Sequence, residues 1–68
     1  KQIKFNCTGR VLLGSDKDKY IKIKQNASKQ FDIYMSPNLL CDQKLETLSS
    51  EQELIEYFDL EFESVKWL

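Results

Sequence analysis

Two short segments of the chain alternate apolar and polar side chains, and this alternation constrains the fold more than any other feature. In residues 20–24 isoleucines alternate with lysines, and residues 31–35 repeat the pattern with three apolar side chains in one phase. A period of two is typical of half-buried β-strands. Turn-forming residues 25–28 lie between the two segments. The pattern therefore predicts an antiparallel hairpin.

The flanking segments extend this sheet. Residues 3–13 alternate around Gly9, which predicts one kinked strand or two. Phe62, Val65 and Trp67 predict a short final strand with a bulge at Glu63-Ser64. Residues 38–47 are ambiguous, because they fit a short helix and equally a loop or an edge strand.

A capping box marks the start of one helix. The Ser50 hydroxyl can accept from the Glu53 amide while the Glu53 side chain reaches back. Leu54, Ile55 and Phe58, flanked by Tyr57, then form an apolar stripe on a helix that ends near Asp59. We therefore expect a single α+β domain over residues 1–68. Its three- to four-stranded antiparallel sheet packs against one main C-terminal helix, and a short strand follows the helix.

The size and residue content of the chain argue against catalysis. A chain of 68 residues buries only about 60% of its unfolded surface, which leaves little room for a deep cleft. It contains no histidine for Ser-His or Cys-His chemistry, and neither Gly9 nor Gly14 belongs to a phosphate-binding loop. The carboxylates of the helix are better explained as a solvent-exposed helix surface than as a catalytic acid-base pair. We expect a protein that is not an enzyme, with no cofactor and no metal site.

The two cysteines, Cys7 and Cys41, are too few for a disulfide scaffold. Both have apolar neighbours, which favours small buried hydrophobic side chains, and whether they pair stays open. No apolar run approaches the roughly 18 residues that span a bilayer. We expect no membrane association and a cytoplasmic protein.

Charge is distributed unevenly along the chain. Residues 1–34 contain eight basic and three acidic residues, a net charge of +5, whereas residues 35–68 contain two basic and eight acidic residues, a net charge of −6. The overall charge of −1 therefore conceals an electrically polar molecule. The two halves either attract each other within the fold or face different partners.

The acidic half predicts a protein-binding inhibitor. Six carboxylates lie within residues 51–63 with no basic residue among them, a density that accelerates association with a basic partner enzyme such as a nuclease. Aromatic residues nearby are of the types that dominate interface energetics. The candidate partner-binding residues are Glu51, Glu53, Glu56, Tyr57, Asp59, Glu61, Glu63 and Trp67.

The C-terminal segment, Glu53-Leu54-Ile55-Glu56-Tyr57-Phe58 followed by Val65-Lys66-Trp67-Leu68, resembles the ending of small acidic bacterial immunity proteins encoded beside polymorphic toxins. Phage-encoded inhibitors of bacterial defence are similar in size and acidity. Either resemblance implies non-catalytic occlusion of a partner enzyme without a cofactor.

The alternative is a single-stranded nucleic-acid-binding module. Tyr20, Lys22 and Lys24 share one strand face, and Tyr34 on the next strand can join it to stack bases and contact phosphates. The sequence pI near 5.3 makes nucleic acid the less favoured partner. An exposed edge strand would also offer a route to a homodimer.

Overall fold

The computed structural model describes residues 3–62 and 64–68. The elements follow in the order β1 (Thr8–Val11), β2 (Tyr20–Gln25), β3 (Phe31–Ser36), β4 (Gln43–Leu48), α1 (Glu51–Glu61) and β5 (Val65–Trp67). The strands form one antiparallel sheet in the order β4-β3-β2-β1-β5. The expected α+β arrangement, with a C-terminal helix and a final short strand, is confirmed, and the final strand joins the same sheet.

The helix covers one face of the sheet and forms the core there. The fully buried Leu54 and Phe58 of α1 and the following Phe62 pack against inward side chains of β1, β2 and β3. The inward side chains are Val11, Ile21, Ile23, Ile33 and Met35. Each such buried side chain contributes about 1.5–3 kcal/mol relative to an exposed one. The alternation in the sequence therefore correctly identifies which side chains of β2 and β3 face the core.

The N-terminal segment differs from the expected strand. Only Thr8–Val11 is β-strand, and Phe5, which alternation places in the core, is 40% exposed although its ring lies 5.5 Å from that of Phe31. Asn6 has a φ of 60° and donates its backbone N–H to the Ile23 carbonyl at 2.9 Å. This left-handed residue turns the chain and breaks the alternation.

Residues 38–47, which fit a helix, a loop or an edge strand on sequence alone, form a loop that continues into strand β4. Ser36, a residue type that could cap a short helix here, instead donates its hydroxyl to the Asn38 carbonyl and accepts from the Cys41 amide, which closes a loop. β4 then lies at the edge of the sheet, with a register shift opposite Ile33 and Tyr34 that marks a β-bulge.

Helix α1 begins where the capping box predicts. The Ser50 hydroxyl accepts from the Glu53 amide at 3.2 Å, and the Glu53 carboxylate accepts from the Ser49 amide at 3.0 Å, one residue earlier than in the standard box. The helix continues to Glu61, two residues beyond the expected end. Within the described residues, no helix has the length and apolar character needed to cross a membrane.

Candidate nucleic-acid interface

The sheet face opposite the helix collects basic and aromatic side chains. Successive residues of a strand point to opposite faces of the sheet. The β2 residues next to the inward isoleucines in sequence therefore point away from the core. The register aligns Lys22 with Thr8 on β1 and with Tyr34 on β3, and it aligns Tyr34 in turn with Lys44 on β4. A second row contains Lys66, Arg10 and Tyr20. We call this surface the basic-aromatic face: Arg10, Tyr20, Lys22, Lys24, Tyr34, Lys44 and Lys66.

The two tyrosines lie close enough to act together. Tyr34 is a direct neighbour of Lys22, and Tyr20 lies diagonally across from it on β2, a relation that separates residues by about 7–8 Å. Both side chains are half-buried, which leaves part of each available. The Lys24 ammonium lies 5.5 Å from the centroid of the Tyr34 ring, within cation-π range.

One carboxylate on this face, that of Asp32, is used by the fold. Asp32 is 6% exposed and accepts from the Thr47 hydroxyl at 2.7 Å and from the Asn26 side-chain amide at 3.3 Å. The Lys44 ammonium lies 3.8 Å away. These contacts tie β4 and the β2–β3 turn to β3. Asp32, together with Asp18, which pairs with Arg10 at 2.8 Å, therefore offsets part of the positive charge of this face.

The helix carboxylates lie on the other side of the core. Glu51, Glu53, Glu56, Asp59 and Glu61 are all exposed on α1. In the part of the chain that the structure describes, the ion pairs are Arg10 with Asp18, Lys19 with Asp16 and Lys44 with Asp32, and none includes a helix carboxylate. The helix carboxylates and the basic-aromatic face thus lie on opposite sides of the core, and no ion pair among the described residues joins them.

The two aromatic residues predicted to anchor a protein partner pack largely inward. Trp67 is half-buried and its ring stacks on Phe58 at 6.1 Å and 19°. Tyr57 is half-buried with its ring edge against Phe62 at 6.1 Å. Glu63 lies outside the described residues. Helix α1 therefore exposes carboxylates but carries no fully exposed aromatic side chain.

A cleft of about 300 Å³ lies between the C-terminal end of α1 and the sheet. Tyr57 and Glu61 line it, together with Asp16, Lys19 and Lys44. Burial, followed by the negative charges of Glu61, Glu46 and Asp16, raises the pKa of Tyr57 above its ordinary value, so its hydroxyl stays protonated at neutral pH. Because the lining mixes acids and bases, it favours no single ligand charge.

Cys41 lies near the basic-aromatic face. It is 6% exposed, and burial raises the pKa of its thiol, an effect that the nearby Lys22 and Lys24 partly oppose. Both Cys41 and the half-buried Cys7 are free thiols. The expectation of two small buried side chains thus describes Cys41 better than Cys7. Among residues 3–62 and 64–68, no group of three or more Cys, Asp or Glu side chains is arranged to hold a metal ion.

Sequence reasoning identified four members of this face, namely Tyr20, Lys22, Lys24 and Tyr34, and the structure places all four together. It missed Arg10, Lys44 and Lys66. Arg10 and Lys66 are cross-strand partners through the β1–β5 pairing, and Lys44 enters through a strand that the pattern left ambiguous. Comparisons with protein-family models, with curated proteins and with solved structures found no match. The resemblance to immunity proteins therefore stays a prediction.

Proposed function

We propose that the protein is a non-enzymatic binding module, and that it binds single-stranded nucleic acid on the basic-aromatic face. The observation that supports this most strongly is the cross-strand register, which gathers five cations around two tyrosines on the sheet face that the helix leaves uncovered. Tyrosine rings stack on unpaired bases, and flanking cations bind the phosphates. A cytoplasmic location belongs to this proposal, because such partners are available there.

The low pI argues less against this function than the sequence suggested. Affinity for a polyanion depends on the local field more than on net charge. The helix carboxylates lie beyond the core, and no ion pair among the described residues joins them to the face. A single-stranded nucleic acid bound to the basic-aromatic face would therefore meet mainly positive charge.

Single strands fit this face better than duplexes. Bases in a duplex are paired and stacked on one another, so flat tyrosine rings on a sheet can stack only on bases that are free. Base stacking on an aromatic side chain is worth about 1–3 kcal/mol per base. We expect weak sequence preference and strong salt dependence.

The test is fluorescence anisotropy with labelled single-stranded RNA and DNA at about 50 mM salt, where nonspecific sites bind in the micromolar range. Affinity should fall with salt, and Lys22→Gln should shallow the slope of log affinity against log salt by about 0.7 for the phosphate contact it removes. Lys17→Gln is the matched control, because Lys17 is an exposed residue of the β1–β2 loop. No binding up to about 100 μM would reject the proposal.

Aromatic variants separate stacking from charge. Tyr34→Ala should weaken binding about 5- to 150-fold, the equivalent of losing one stacked base. Tyr34→Phe retains the ring and should bind nearly as the wild type does. Equal losses in both variants would point to the hydroxyl and contradict a stacking role.

A second candidate is the protein-binding inhibitor, of an immunity or phage anti-defence type. It is supported by the exposed carboxylates of α1, which no ion pair among the described residues occupies, and by the exposed Ile55 and Leu60 beside them. Titration into assays of basic nucleases tests it. Inhibition should be lost in Glu56→Lys with Asp59→Lys and kept in Lys22→Gln, whereas unchanged nuclease activity would reject inhibition of those enzymes.

A further inference from the structure

Two partly exposed surfaces of opposite charge lie on opposite sides of this molecule. One is the basic-aromatic face of the sheet. The other is the outer helix face, the exposed side of α1 turned away from the buried Leu54 and Phe58. At 100° per residue it consists of Gln52, Ile55, Glu56, Asp59 and Leu60, all exposed.

We propose that the outer helix face of one copy docks on the basic-aromatic face of a second copy. The two surfaces match in charge, carboxylates on one and ammonium and guanidinium groups on the other. They also match in apolar character, because Ile55 and Leu60 are 39% and 84% exposed and the opposing face presents two half-buried tyrosines. The net charge of −1 gives two copies almost no overall repulsion.

This contact differs from a dimer through a sheet edge. β5 is only three residues long, and β4 carries a bulge and the charged Lys44 and Glu46, features that protect edges from pairing. The docking surfaces lie on the faces instead. Because they are two different surfaces, the contact is heterologous, and a pair of copies still presents one free helix face and one free sheet face. The assembly therefore grows beyond the dimer.

Two double variants each remove one surface. The face variant is Lys22→Glu with Lys66→Glu, and Lys66 is exposed on β5 directly opposite Arg10, where a glutamate is tolerated. The helix variant is Glu56→Lys with Asp59→Lys. It spares Glu53, whose carboxylate accepts from the Ser49 amide and supports the helix start. Circular dichroism confirms that each variant is folded.

Sedimentation velocity then measures the assembly at about 20 mM salt, where screening of charges is weak. The wild-type mass should rise with protein concentration without stopping at the dimer, and it should return to the 8.1 kDa monomer at about 300 mM salt. Each variant alone should stay monomeric. An equimolar mixture of the two should assemble, because the acidic helix face of the face variant meets the unchanged basic-aromatic face of the helix variant.

Three results would overturn this inference. They are a wild-type protein that stays monomeric at low salt, a folded variant that still assembles as the wild type does, and a mixture of folded variants that stays monomeric. If a variant does not fold, Lys22→Gln with Lys66→Gln and Glu56→Gln with Asp59→Asn replace it, and the wild-type salt series decides independently. None of these measurements requires nucleic acid, so self-association and the proposed function fail or succeed separately.

Discussion

At the scale of single residues, Gly9 shows how closely the last strand packs on the first. A Cβ at this position would lie 2.8 Å from the Val65 Cγ1 and 2.9 Å from the Trp67 Cε3. The tryptophan ring therefore occupies the space that a side chain at position 9 would take. The sequence pattern predicts a kink or a break at this glycine, whereas the structure shows a steric need for glycine inside β1.

We expect Gly9→Ala to destabilise the fold by about 1–3 kcal/mol, because a rigid valine and a packed indole must both shift. Urea denaturation measures this. Val65→Ala in the same chain removes one of the two clashing groups, so the double variant should lose less stability than the sum of the single variants. Strict additivity would contradict the clash.

Tyr57 gives a pH dependence. Its folded-state pKa is raised by burial and by the surrounding carboxylates, so it contributes stability that is fully present below the unfolded pKa of about 10 and is lost as pH rises through the folded value. Tyr57→Phe has no hydroxyl to titrate. The stability of the variant, followed by denaturation at increasing alkaline pH, should fall less steeply than that of the wild type above about pH 10. Parallel curves would refute this role for Tyr57.

At the scale of secondary-structure elements, sequence predicted best where local chemistry is strong. The capping box placed the helix start at Ser50, and alternation placed β2 and β3. Prediction from sequence failed where contacts between distant segments determine the local structure. The left-handed Asn6 ends the alternation before β1, and β4 forms because the polar Ser36 and Asn38 close a loop that presents it to the edge of β3.

The same limit applies to the candidate surface. Alternation alone showed that Tyr20, Lys22 and Lys24 share a face. Only the pairing of β1 with β5 brings Arg10 beside Lys66, and sequence does not encode which strands become neighbours across so long a separation. The sign of the net charge of each half follows from the sequence, but whether the two sets of charges neutralise each other depends on the fold.

The helix start can be tested directly. Ser50→Ala removes the hydroxyl that accepts from the Glu53 amide and should cost about 1 kcal/mol of stability. Ser49→Ala is the matched control, because Ser49 contributes a backbone N–H to the cap and keeps it after substitution. Thermal or urea unfolding measures both. A larger loss in Ser49→Ala would show that the cap lies one residue earlier.

At the scale of the whole molecule, separated charges give an unusual response to salt. Like charges lie near one another on each side, whereas opposite charges lie across the core, so screening should relieve more repulsion than attraction. At protein concentrations low enough to keep the protein monomeric, we expect the melting temperature to rise between about 20 and 200 mM salt. Glu56→Gln should raise stability at low salt and reduce this dependence. A melting temperature that falls with salt would show that attraction between the two sides dominates.

The pairing of β1 with β5 also sets the order in which the chain can fold. Gly9 and Trp67 are 58 positions apart, whereas the other strand pairs join neighbours in sequence. Closing so long a loop costs more entropy than closing a hairpin, and such contacts form slowly. At 5–20 residues per second, a ribosome takes roughly 3–11 s to add the residues between these partners. Throughout that interval the nascent β1 keeps one edge open, and chaperones or neighbouring nascent chains can reach it.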